Sequence, residues 1–505
     1  MRWKLSFVFA ALILSTLVVS AQGQHRLQEN QHAAKPSLAD LARVIEEDSS
    51  GLDTIRRMGL DVFTGRFTKS DGHGDGPFDL DEWLENPLAF GHRATLQGNG
   101  QVLRLNGLDA QSCNECHSIV SHRTNPPKLG IGGVGGMVQN AVIMPSLIDV
   151  ADSGDDRVTF EPGHEPSLPL EADGVADFNG RFANPPFLFG GGGVELLAKE
   201  MTVDLQKLLE LAQDSPAGTV VQLDTHDVHF GSLLSLGGGE VDLSAVEGVG
   251  PKETTGVDPV DVLVVRPFGR KGDNFSMRDF DRGAMQFHFG IQPVEVVDPG
   301  EFGGVDEDKD GVTDEVTIFD MSVLHVFDVT NPVPRILPLN ANQQAGFGHF
   351  VEIGCASCHR PLLETRSDHI PLAHPEVASD PSANVYLEVD LVKVGFDKTP
   401  NGGVFVPLFA DLKRHRMGPR LAESFERADL EQDEFTTARL WGIADTAPYL
   451  HDARATSLFD AIEFHGGEAQ AARDAFLALT NSQRRNLLRF LRRLRVPHRP
   501  NEDLL

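Results

Sequence analysis

The sequence predicts a mainly α protein interrupted by a loop- and strand-rich insertion. Three observations lead there. Apolar residues at three- and four-residue spacing recur along the chain, as helices require. Short apolar alternations are confined to its middle, from Gly218 to about Val265, as in strands. The 50 glycines and 30 prolines among 505 residues demand long irregular connections. At this length two or three domains are expected, with ample chain to bury a core.

Taken in order, the chain opens with Arg2 and Lys4, an apolar stretch from Leu5 to Val19, and the small residues Val19, Ser20 and Ala21. That is the pattern of a Sec-type signal peptide over 1–21, cleaved after Ala21. The apolar run is short for a membrane span, so none is expected after cleavage, and the location is periplasmic or secreted. Ser37 can cap a helix over Leu38 to Glu47, and Ile55, Met58, Leu60 and Phe63 mark a second. Asp71-Gly-His73-Gly-Asp75-Gly reads as a solvated turn cluster rather than a metal site. Gly130 to Gly136 lacks the Lys-Ser/Thr and preceding strand of a phosphate loop. Thr202 is placed to cap a helix through Leu205, Leu208 and Leu211. Thr219 to Leu223 and Val260 to Val265 read as strands, and Phe280 to Phe289 as helix. Helices are expected over Gln343 to Ile353, from Ser457 through Phe464, over Glu468 to Leu479, and from Ser482 to Leu494.

Two short runs carry the chemistry: Cys113-Asn-Glu-Cys116-His117 and Cys355-Ala-Ser-Cys358-His359. Each is C-x-x-C-H, the spacing that attaches a c-type haem. Residues at i and i+3 share a helical face, so both thiols reach the porphyrin edge. The following His then supplies the proximal nitrogen to iron. The chain has four cysteines and these runs use all of them, which disfavours a stray redox pair or half a zinc site and leaves no thiol for a disulfide. Two covalently bound haem c groups are therefore expected.

The formal net charge of −30 argues against a nucleic-acid binder and favours neutral or cationic partners, such as a basic cytochrome. A third motif is acidic. Asp306, Asp308, Asp310 and Asp314 alternate around Gly311, so their carboxylates can converge on one hard cation. Position twelve is Thr317 rather than Glu and no helix pair flanks the loop. Calcium and a plain acidic surface loop both stay open.

Ile353-Gly-Cys355-Ala-Ser-Cys358-His359-Arg-Pro361, Asp411-Leu-Lys-Arg-His415-Arg-Met417-Gly, Ala438-Arg-Leu-Trp441 through His451-Asp, and Phe464-His465-Gly-Gly-Glu468 resemble the di-haem cytochrome c peroxidase superfamily, within it the di-haem oxidoreductase branch. The resemblance covers roughly residue 100 to the C-terminus. It implies two cytochrome c-like haem domains: a leader and helical segment over 22–95, a first domain with the insertion and candidate calcium loop over 96–345, and a second domain over 346–505. It implies that Met417 is the second ligand of the electron-storing haem, with His415 as rival, because Arg416 stands where the family has an acid. It points to Glu195, after the Pro-rich turn, as the carboxyl that moves a proton on peroxide. Apolar neighbours such as Phe187, Phe189 and Leu196 are expected to raise its pKa. His226, His229 and His288 are equal candidates for a resting sixth ligand of the first haem, and Trp441 is a core residue or an electron relay.

The activity so implied is reduction of hydrogen peroxide with electrons from a small donor protein, a cytochrome c or cupredoxin. Three alternatives stand beside it: a plain electron-transfer di-haem cytochrome, a di-haem oxygenase acting on an organic substrate, and an enzyme oxidising residues of a partner protein.

Overall fold

The computed structural model describes residues 51–74, 110–117, 119, 142–146, 179–254, 256–298, 303–423 and 429–505. The signal peptide, the helix expected at Leu38 to Glu47 and the loop 130–136 lie outside the described residues. Within them the fold is mixed rather than mainly α. Helices form the core, and strands occur as five two-stranded sheets and one of three.

The architecture is built on the helix Ile318–Val329. Its N-terminus carries a reciprocal capping box between Thr317 and Asp320, and Phe319 to Val329 are all buried. A helix apolar on every side must be wrapped by others. Call it α4. Helix α1 (Gly51–Thr64) crosses it with Gly59, where a Cβ would lie 2.1 Å from the Val323 carbonyl oxygen. Phe63 and Phe327 meet at a tilt beside that crossing, with centroids 5.3 Å apart. Helix α2 (Gly191–Gln213) meets the C-terminal end of α4 through Gly192, and α3 (Met277–Ala284) covers a further side.

The expected cap at Thr202 is not one. α2 runs unbroken through it for 23 residues, and the Thr202 hydroxyl accepts from the Val265 amide. The predicted strand at Val260 to Val265 is also corrected. Asp258 accepts from the Val260 amide and Pro259 sits at the first helical position, so Pro259–Val262 is a short helix. The insertion's three-stranded sheet is Val220–Thr225, Val228–Gly237 and Glu240–Asp242.

A second, smaller core gathers Phe350, Phe409, Tyr449, Phe476 and Phe490. Here α5 (Ala341–Glu352) packs on the C-terminal hairpin of α7 (Gln470–Ala478) and α8 (Asn481–Leu491), with α6 (Leu458–Phe464) before them. Residues 363–412 contribute Leu363, Leu391, Val406 and Leu412 to the large core instead. Among the described residues no helix is long and apolar enough to cross a membrane.

The α5–α8 crossing admits only glycine at 346, where a Cβ would lie 2.1 Å from the Asn486 carbonyl oxygen. Gly346→Ala must push two backbones apart, so a loss of about 1–3 kcal/mol is expected in denaturant unfolding. The same change at Gly348, which has open space, should cost nothing by this route.

Candidate functional site

Both C-x-x-C-H runs form a tight 3₁₀ turn that the His closes. The His117 amide donates to the Cys113 carbonyl at 2.9 Å, and the His359 amide to that of Cys355 at 3.0 Å. Gly354, at φ 91°, turns the chain from the end of α5 into the second run. None of the four cysteines is in a disulfide. Burial pushes the Cys355 thiol up to about 11 and that of Cys113 well above its usual value. A redox dithiol needs the opposite shift, so this environment disfavours that alternative.

The second run presents a defined donor set. His359 Nδ1 lies 3.1 Å from the Phe409 carbonyl oxygen, and His465 Nδ1 lies 2.8 Å from that of Ala461. A carbonyl only accepts, so each Nδ1 carries the proton and each Nε2 keeps its lone pair for a metal. The two rings lie with centroids 6.4 Å apart, tilted by 50° to each other. Two metal–nitrogen bonds of about 2 Å each, as imidazole makes to zinc, plus the depth of the rings, account for that spacing. Burial, then the charge of His465, lowers His359 to about 4, and burial lowers His465 too. Both are neutral at pH 7, as ligation requires.

Met417 is half-buried. Its amide donates to the Asp433 carbonyl and its own carbonyl lies against Gly466. The ring set against His359 is that of His465, which the sequence reading quoted without a role. His415 is excluded as a rival by its own hydrogen bonds. Its Nε2 lies 2.9 Å from Asp411 Oδ2 and its Nδ1 2.7 Å from Glu468 Oε2. Burial opposes its charge, but Asp411 and the neighbouring Cys358 hold it up at about 11. An imidazolium clamped between carboxylates has no lone pair to give.

At the first run, burial and then His288 lower His117 to about 3, opposed by the main chain of Pro186. Of the three histidines left open in the sequence, only His288 acts on His117. His226 is tied to the Glu364 carbonyl and Glu200, and His229 to Asp224. His288 sits in the π-turn Met285–Phe289 that ends α3, next to the Ala110 amide.

Glu195 lies at the other end of α3, fully buried, where its Oε2 accepts from the Met277 amide at 2.8 Å. Its environment is not apolar. Lys199, one turn on, is 2.7 Å away, and His325 of α4 is 3.2 Å away. Burial would raise its pKa, but these two partners lower it to about 2. The expected raised pKa is thus corrected, because sequence neighbours are not spatial ones. Among the carboxyls that are raised are Asp328 on α4, pushed by burial to about 8, and Asp281 on α3, pushed well above its usual value by burial and by Asp328. The two share a side-chain hydrogen bond, and both act on the Cys113 thiol. The sequence signal for Asp328 and His325 was polar residues inside an otherwise apolar helix.

The acidic loop is partly as expected. Asp306, Asp308 and Asp310 bring carboxylate oxygens within 4.8 Å of one another, while Asp314 turns away to accept from the Gly304 amide. Asp308 is 3% exposed and its Oδ2 has no hydrogen-bond partner. Glu315, the last residue of the acidic run, accepts from the Gln292 amide, and burial lifts it to about 9. Asp71 and His73 have structural roles, in a capping box with Thr68 and in a bond to the Ala110 carbonyl. Trp441 is buried with its ring edge against Gly190, where φ is 73°.

Residues 301–494 match the family described as "Di-haem oxidoreductase, putative peroxidase", the branch the motifs resemble. That segment, less than half of the chain, implies haem cofactors and an oxidoreductase. No curated protein matches. Among solved structures, hydrazine synthase from Kuenenia stuttgartiensis is similar over 62% of this chain and 89% of its own, at 13% identity and a TM-score of 0.24. A superposition that loose carries no argument.

Two outcomes follow from the charges. Asp328 has a folded pKa near 8 against about 3.9 unfolded, so its contribution to stability is intact below about pH 4 and is lost as pH rises toward 8. Asp328→Asn should flatten the fall in unfolding temperature between about pH 5 and pH 8. Glu195→Gln leaves Lys199 buried without its counter-charge and should cost about 3–5 kcal/mol. Adding Lys199→Met should recover most of it in urea unfolding; no recovery would mean the pair is not what stabilises this site.

Proposed function

We propose, with the resemblance of residues 301–494 to the di-haem oxidoreductase family as premise, that this chain is an exported di-haem c-type oxidoreductase that reduces hydrogen peroxide with electrons from a small redox protein. The observation that carries the reading is the pair of half-buried imidazoles at the second C-x-x-C-H run, His359 and His465, in ring contact and each with its Nδ1 on a main-chain carbonyl; at the first run, burial and the nearby His288 lower His117. Cys113 and Cys116 would hold one haem and Cys355 and Cys358 the other through thioethers, with His117 and His359 as proximal ligands. His465, rather than Met417, would take the far side of the second iron. When bound, the haems supply one-electron storage and, at an open position, peroxide reduction, and a second imidazole in place of a thioether lowers the potential of its iron.

The chain's own residues handle protons. Reduction of hydrogen peroxide to two waters takes two electrons and two protons. Near the first run a carboxyl that is protonated at neutral pH is required to donate one. Asp328 and Asp281 meet that description. Glu195 contributes ionised. It accepts from the start of α3, holds Lys199 and His325, and keeps negative charge beside the Asp pair, which helps that pair retain its proton.

A second reading, an electron-transfer cytochrome inert to peroxide, draws on His288, because a site with imidazole on both sides has no open position. Adding peroxide to the half-reduced haem-loaded protein separates the two. Loss of absorbance in one haem and stoichiometric peroxide consumption support the peroxidase; unchanged spectra leave the cytochrome. Asp328→Asn should slow peroxide consumption by about 10²-fold or more with both haem spectra intact.

We assign calcium to Asp306, Asp308 and Asp310, on the strength of the buried, unpartnered Asp308 Oδ2. Calcium should raise the unfolding temperature relative to chelator-treated protein, and Asp308→Asn should remove most of that increment. Equal unfolding temperatures with and without calcium would remove the assignment.

A further inference from the structure

From Ala475 to Asn501 the chain has seven arginines and no acidic residue, although its net charge is −30. Four of the seven are occupied within the fold. Arg484 donates to the Leu479 carbonyl, Arg493 to that of Pro338, Arg495 pairs with Asp445, and Arg499 lies near Glu502. The other three, Arg485, Arg489 and Arg492, are exposed, at i, i+4 and i+7 along α8 and its cap. That spacing puts them in one row on the solvent face. None has an ion-pair partner among the described residues. Cations near a helix C-terminus complement its dipole, worth about 0.3–1 kcal/mol each, but the effect fades within the last turn. Arg485, in the first half of α8, is outside its reach.

The row borders a cavity of about 250 Å³ that Arg492 shares with Arg495, Tyr449, Thr456 and Ser457. The opposite face of α8 is the wall of the second site. Phe490 meets Phe350 edge-on at 5.6 Å, and Phe350 lies 6.5 Å from the His359 ring. The row is therefore one helix diameter, about 10–12 Å, from that core.

We infer that the Arg485–Arg489–Arg492 face docks an acidic electron-donor protein that delivers its electron at the His359 site, an inference that rests on the di-haem reading. The donor is oxidised by one electron and the chain is reduced by one. The sign of the patch reverses the partner expected from net charge alone. At physiological salt charges are screened beyond about 8 Å, so at contact the exposed arginine row, rather than the net charge of the whole chain, sets the local field, with the nearby carboxylate of Asp445 neutralised by Arg495. Charge complementarity also sets the size of the partner. A long polyanion would overrun the patch onto acidic surface, whereas a small protein with one acidic face meets only the arginines, and a carboxylate side chain fits the cavity beside Arg492.

The test uses the full-length haem-loaded protein with two probes, an acidic plastocyanin-type cupredoxin and a basic cytochrome c, with binding followed by calorimetry and haem reduction by stopped flow. The acidic probe should bind more tightly, weaken as salt rises, and lose about tenfold or more in affinity in Arg485→Glu/Arg489→Glu/Arg492→Glu. The triple Arg→Lys variant should retain binding, with haem spectra of both variants confirming the fold. Tighter binding of the basic probe, or no effect of charge reversal, would overturn the inference. So would sedimentation showing a wild-type dimer that the Glu variant abolishes, since the patch would then serve self-association. Binding without haem reduction would keep a docking face and instead remove the donor role and the reading beneath it.

Discussion

Two half-buried imidazoles with ring centres 6.4 Å apart, each with its Nδ1 proton spent on a main-chain carbonyl, form the interaction on which the second half of this molecule depends. His359 is fixed by Phe409 and His465 by Ala461. A carbonyl partner does what a carboxylate cannot. It sets the tautomer without charging the ring, so each Nε2 keeps a lone pair that a metal could use. The contrast lies a few ångströms off. His415, between Asp411 and Glu468, has two carboxylate partners and is held as a cation beside Cys358. The same residue type thus keeps a free lone pair in one place and is a fixed charge in the other.

The first site turns on the same competition between burial and partners, applied to carboxyls. Glu195 is wholly buried yet ionised, because Lys199 and His325 stabilise the anion more than burial penalises it. Asp281 and Asp328 are buried against each other, so desolvation wins and a proton stays bound. α3 and α4 bring these opposite outcomes together. α3 begins at the Glu195 carboxylate, carries Asp281 along its length and hands on to His288, while α4 supplies His325 and Asp328. Proton-holding and charge-holding groups therefore sit on rigid elements rather than on loops.

Much of this was legible in the sequence where the signal is local. The C-x-x-C-H runs, the helices around Ile55, Phe350 and Leu487, and the alternating strand after Gly218 all follow from spacing. The misses share a physical reason. Glu195 reads as apolar along the chain because Phe187, Phe189 and Leu196 are near in sequence, whereas its partners include His325, 130 residues away. Thr202 has the residue type of a cap, but a cap forms only where a helix starts, and α2 has started eleven residues earlier. His465 follows an apolar helix and precedes two glycines, a context that says turn; only the folded chain shows what that turn faces.

The most direct test of the paired imidazoles is electron paramagnetic resonance with near-infrared magnetic circular dichroism on the oxidised, haem-loaded full-length protein, for the parent, His465→Ala and Met417→Leu. Bis-imidazole ligation should appear at the second haem, vanish in His465→Ala and persist in Met417→Leu. A sulfur-to-iron charge-transfer band in the parent that is lost in Met417→Leu would contradict the account.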